Sequence, residues 1–165
     1  MVPTKNMRIE MEGVPGEFVR NKNIMGDPTK SARGYSTRSF TLSLTPEYAQ
    51  ALEEKGFPIK HSQNAPEDAR PYLAIVLFPE QKFSYPPTVV VSDNGRTRKI
   101  LPPEKWVEFD ESPIEYVDLE LLTYENKNGN ICVKCEALYF HTKLSLIRNK
   151  YPDAFDEEFE PAPFQ

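Results

Sequence analysis

Residues 116–140 read YVDLELLTYENKNGNICVKCEALYF, and this stretch decides the fold class. Val117, Leu119 and Leu121 alternate with Tyr116, Asp118 and Glu120, the two-residue period of a half-buried strand. Asn126 to Asn130 contains Asn128-Gly129, a strong short hairpin signal because both residues tolerate positive φ. Ile131 to Phe140 then reads as the returning strand. An antiparallel hairpin is expected, and the rest of the chain is read outward from it.

Met7 to Glu12 alternates apolar and polar residues and is stopped by Gly13, Pro15 and Gly16, giving a first strand. Phe40, Leu42 and Leu44 give another. Tyr72 to Phe78 is apolar on both faces, which suits a central strand. Thr88 to Val91 is β-branched and ends at Asp93-Asn94-Gly95, a second hairpin signal. One helix is predicted after Thr45, with Thr45 as N-cap, Pro46 at N1, Glu47 facing the dipole and Gly56 as stop. Its inner face is Tyr48, Ala49 and Leu52. Glu104 to Phe109 reads as a single helical turn carrying Trp106, and residues 17–37 and 61–71 as polar loops. Five or six strands with Gly, Pro and Asn turns predict a mainly β barrel or sandwich.

At 165 residues the chain is expected to form one domain with one core. Its 16 prolines disfavour an all-helical protein, and 12% aromatic residues disfavour disorder throughout. The longest apolar run, Leu73 to Phe78, falls far short of the ~20 residues of a membrane span and of the ~7–15 of a signal-peptide core. The chain is therefore expected to stay where it is made. Two cysteines are too few for a disulfide framework and fit a reducing compartment.

Catalytic chemistry finds little support. Cys132-Val133-Lys134-Cys135 sits within a predicted strand, where an offset of three places the thiols on opposite faces. No second such pair completes a four-ligand zinc site, although His61 and His141 leave a Cys2His2 set open. Neither histidine lies in a recognisable nucleophile–base motif. Asp118 and Glu120 share a strand face without an evident third ligand, so solvated surface is the better reading. No metal or nucleotide cofactor is implied.

Basic residues interleaved with aromatics are the stronger signal. Arg20, Lys22, Lys30, Arg33 and Arg38 face only Asp27 within 18–40, and Arg96, Arg98 and Lys99 follow the second Asn-Gly. Tyr35, Phe83 and Tyr85 stand in predicted loops, where no core requires them, and Trp106 adjoins Lys105. Single-stranded nucleic acid calls for this combination, cations for phosphates and flat rings for unstacked bases.

The order of these segments resembles the single-stranded DNA-binding proteins of tailed bacteriophages. The likeness runs through Met7-Arg8-Ile9, the Gly13 to Gly16 turn, Arg38-Ser39-Phe40 and Leu42 to Glu47. It continues through Gly56 to Lys60, Tyr72 to Ile75, Val117 to Leu121 and Val133 to Tyr139, about residues 7–142. The resemblance implies a five-stranded OB-fold barrel with one short helix and long loops, over residues 1–144. It also implies sequence-independent coating of single strands during replication or recombination in the host bacterial cytoplasm, without catalysis. The expected phosphate contacts are Arg20, Lys22, Lys30, Arg33, Arg38, Arg96, Arg98 and Lys99, and the expected stacking rings are Tyr35, Phe83, Tyr85 and Trp106.

Residues 145–165 form an acidic, flexible tail in this reading. From Asp153 onward the tail has five carboxylates and no cation, so the net charge of −5 resides there and the preceding 152 residues are neutral. Asp156, Glu157, Glu158, Phe159 and Phe164 are expected to recruit replication or recombination proteins. Two other functions stay open: an all-β phage structural or host-interaction protein, and a metal-dependent nucleic-acid enzyme using Asp118 and Glu120.

Overall fold

The 116–140 hairpin is the spine of the sheet. In the computed structural model, which describes residues 2–31, 34, 36–61, 70–82, 84–95 and 97–143, strands β7 (Ile114–Glu125) and β8 (Ile131–Thr142) pair along their length. The Asn126 N–H donates to the Asn130 carbonyl at 2.8 Å, and Gly129 adopts φ 80°, as the Asn-Gly signal requires.

Strand β1 (Arg8–Pro15) pairs antiparallel with β7. On the other side of β8 lie two shorter strands, both parallel to it. β4 (Tyr72–Leu77) matches Val133 to Cys135, and β5 (Val89–Asp93) matches Ala137 to His141. β3 (Ser39–Ser43) pairs with β4, β2 (Val19–Asn23) with β3, and β6 (Arg98–Leu101) with β5. The result is a mainly β protein built on an open eight-stranded sheet, with the path β1-β7-β8-β4-β3-β2. More strands are present than the five or six expected from the sequence, and the sheet is open rather than closed into the expected barrel.

β8 changes partner at a bulge. Leu121 faces Cys135 and Glu120 faces Ala137, so Glu136 is the extra residue. The bulge restores alternation: Val133 and Cys135 point into the core before it, Leu138 and Phe140 after it. Thr88, entering β5, ties the fork together. Its hydroxyl donates to the Cys135 carbonyl at 2.6 Å and accepts from the Phe78 N–H at 2.9 Å.

The inner face gathers Phe40, Leu42, Leu73, Ile75, Val117, Leu121, Leu138 and Phe140. Helix α1 (Pro46–Glu54) packs on it through Ala49 and Leu52 and begins as expected, with Thr45 Oγ1 accepting from the Tyr48 N–H. A second short helix, α2 (Val107–Glu111), follows a 3-10 turn at Pro103–Lys105 and inserts Phe109 between Phe40 and Phe140, at ring-centroid distances of 5.5 and 5.2 Å.

Two strands were not anticipated. β2 lies within the expected 17–37 loop, and β6 in what reads as a basic cluster. Both are edge strands. β2 buries only Asn23 fully, with Val19 and Lys22 half-buried, and β6 turns Leu101 inward while Ile100 is 69% exposed. Lysine and arginine suit such edges because they oppose pairing with another chain.

Thr88→Val keeps the volume at the fork but leaves the Cys135 carbonyl and Phe78 N–H unpaired in a buried setting. It should lower stability by about 1–3 kcal/mol, read from the urea midpoint.

Candidate nucleic-acid interface

Several residues expected on the nucleic acid have structural work instead. Trp106 is fully buried, and its indole N–H donates to the Leu101 carbonyl at 3.1 Å. No face is left for a base, so Trp106 is a core residue. The expectation failed because the 3-10 turn and α2 fold back onto the sheet.

Lys22 reaches the end of α2, donating from Nζ to the Phe109 and Ser112 carbonyls at 2.9 and 2.6 Å. Burial holds this ammonium below the usual lysine range, with Asp110 opposing the shift. Asp110 in turn accepts from the Ile24 and Met25 N–H groups at 2.8 and 2.9 Å. The 19–31 segment is thereby strapped to α2. Arg38 donates to the Pro103 carbonyl at 3.1 Å and lies 5.2 Å from the Trp106 ring centroid. Arg98 pairs with Asp93 at 3.2 Å, and Lys99 with Glu108 at 3.5 Å. Arg20 and Lys30 are exposed. Arg33, Tyr35, Phe83, Arg96 and the tail residues Asp156, Glu157, Glu158, Phe159 and Phe164 lie outside the described residues.

The outer face of the sheet falls into two halves, divided at the Glu136 bulge. In the β5 half, Tyr116 stacks on His141 at 5.0 Å and Arg98 lies 5.7 Å from the Tyr139 ring centroid. Carboxylates dominate here. Asp93 accepts from the Tyr139 hydroxyl, the Gly95 N–H and Arg98, and His141 lies between Asp93 at 3.7 Å and Glu115 at 3.3 Å. Asp118 accepts from the Gly13 N–H at 2.7 Å, and Glu120 is paired with Arg8. Among the described residues, no three His, Cys, Asp or Glu side chains are placed to hold a metal ion.

In the β4 half, the outward residues are Ser39, Thr41 and Ser43 on β3 and Tyr72, Ala74 and Val76 on β4, small apart from Tyr72 and all half-buried. Two grooves adjoin the β4 side of this floor and share Val76. One, of about 450 Å³, is lined by residues 36–38 and 76–82. The other, of about 510 Å³, is lined by Pro58, Lys60, Ala74 and the Asn126–Asn130 turn, among others. Arg38, Lys60 and Lys82 are the cations of these linings, against one carboxylate, Glu80. Arg20 projects at the same floor's edge, directly across from Thr41.

Aromatic rings stand beside the floor. Phe78, Tyr85 and Tyr124 form a triad with centroid separations of 5.5 to 6.4 Å. Tyr85 is half-exposed, and burial pushes the Tyr124 hydroxyl up to about 12. Lys134, cross-strand from Val76, lies under this triad. Sequence reading passed over Lys134, Tyr124 and Phe78. The available signal was a lysine at an outward position of an otherwise apolar strand.

The thiols of Cys132 and Cys135 are on opposite faces as expected: Cys135 is buried in the core, and Cys132 is half-buried in the wall of the larger groove. Compared with family models, curated proteins and solved structures, the chain matches none.

Burial alone would push the Asp93 carboxyl up, but its bonds from Tyr139, Gly95 and Arg98 and the nearby His141 outweigh burial and hold it below the usual range. A carboxyl held lower in the folded chain contributes stability above its unfolded value and loses it as pH falls through the folded value. Stability should drop on acidification below about pH 4. Asp93→Asn should be less stable at pH 7 and show a shallower acid decline in urea midpoints.

Proposed function

We propose that the protein binds single-stranded DNA, with little sequence preference, along the outer face of β3 and β4. The observation that carries this reading is the coincidence of three things on one surface: a floor mostly of small residues, walls that hold Lys60 and Lys82, and beside it the half-buried Tyr85 ring, backed by the buried Phe78 and Tyr124. Small side chains admit an extended backbone, cations hold its phosphates, and rings take unstacked bases.

The strand order supports an OB-type reading of the sheet. Its two path ends, β1 and β2, are successive pieces of one chain stretch, separated only by the 3-10 turn Gly16–Phe18. Taken as one bent strand, they reduce the path to five strands: β1/β2, β3, β4, β7 and β8. The pairings are then antiparallel except for β4 with β8. The helix α2 falls in the connection between the third and fourth of these. OB folds bind oligonucleotides on the second and third strands and on the loops after the first and fourth. Here those are β3, β4, residues 24–38 and the Asn126–Asn130 turn, of which β4, residues 36–38 and the turn contribute to the groove linings. The acidic tail recruits partner proteins in this reading, and the protein acts without catalysis.

Titration of fluorescent oligo(dT) should give saturable binding at micromolar protein or below, weakening as salt rises. The double variant Lys60→Glu, Lys82→Glu should bind at least about tenfold more weakly, with a shallower salt dependence, by ~0.7 in log–log slope for each phosphate no longer neutralised. A wild-type protein that produces no salt-dependent anisotropy change removes the reading.

A further inference from the structure

Among the described residues, Lys134 is one of three buried side chains with an unpartnered polar atom. It is 1% exposed, and its Nζ has no hydrogen-bond partner. The ammonium lies 4.8 Å from the Tyr85 ring centroid and 5.4 Å from that of Phe78. Its cross-strand neighbours are apolar, Leu122 on β7 and Val76 on β4. The nearby carboxylates Glu120 and Glu136 are each 2.7 Å from Arg8 and attract the Lys134 ammonium without hydrogen-bonding it.

Cation–π attraction offsets part of the cost of burying this charge, but it satisfies none of the three N–H donors. An apolar residue of similar volume would fill the space without that cost. Lys82 Nζ also lies 5.4 Å from the Phe78 ring centroid. Two cations are thus drawn to one ring, and the buried one, Lys134, has donors that an anion would satisfy.

The Tyr85 ring is part of the cover over Lys134. Tyr85 belongs to a tight turn closed by two backbone hydrogen bonds with Lys82, at 3.0 and 3.1 Å. The segment is anchored at its base, where the Thr88 N–H donates to the Phe78 carbonyl at 2.8 Å. The Tyr85 ring can therefore leave Lys134 without disturbing β4 or β5.

We propose that Lys134 and Lys82 form a phosphate subsite, covered here by the Tyr85 ring. A phosphate of the nucleic acid accepts the Lys134 donors as Tyr85 turns outward to stack on the adjoining base. This inference rests on the single-strand reading above and adds to it a pair of ligands that trade partners on binding.

Oligo(dT) titrations across a salt series, with the full chain, test it. Lys134→Met should fold with an unchanged or higher thermal midpoint, bind about five- to tenfold more weakly at low salt, and show a log–log slope shallower by ~0.7, one single-strand phosphate. Tyr85→Ala should lose about fivefold or more in affinity, the range of one stacked base, with the wild-type slope retained. Should the methionine variant melt lower, Lys134→Gln is measured in its place and should give the same change of slope. A lysine variant with the wild-type slope overturns the subsite while leaving the single-strand reading standing. Absence of binding by the wild-type protein overturns both.

Discussion

Everything in the sheet is arranged around the edge of β8 that faces away from β7. β8 is twelve residues long, and no other single strand flanks that edge over its full length. β4 covers the first part and β5 the second. Such a change of neighbour leaves a gap in the ladder, and the extra residue Glu136 falls at that gap. The bulge keeps apolar side chains inward on both sides of it, and the Thr88 hydroxyl satisfies the carbonyl it frees. The division of the outer face into a carboxylate-rich half and a cation-bearing half is the same event seen from outside.

The cations illustrate how charge counted along a chain differs from charge presented on a surface. Lys22 and Arg38 are anchored to backbone carbonyls of the 103–112 segment, and Arg98 and Lys99 to carboxylates. They hold the periphery of the fold in place. The cations that face the grooves, Lys60 and Lys82, come from stretches with no basic cluster. A lysine beside an exposed strand and a lysine capping a helix look alike in a sequence, because the difference lies in what folds against them.

What the sequence made legible was local. Alternation located β1, β3 and β7, apolar and β-branched runs located β4 and β5, and the Asn128-Gly129 turn located β8. The Thr45 cap and the Gly56 stop bounded α1. The strands β2 and β6 escaped because edge strands turn few side chains inward, so periodicity has little to register. Trp106 was misplaced for the opposite reason: a ring in a short, proline-led segment looks exposed until that segment packs on the sheet. Lys134 was invisible as a site because it was read only as a spacer between two cysteines.

Those two cysteines have a practical consequence. Burial pushes the Cys135 thiol up, so it stays protonated and inert among core side chains, while Cys132 borders the larger groove. The fold has thus separated one strand's thiols into a silent one and an addressable one. A probe attached through sulfur would report from the groove wall alone, without any cysteine having to be removed or introduced.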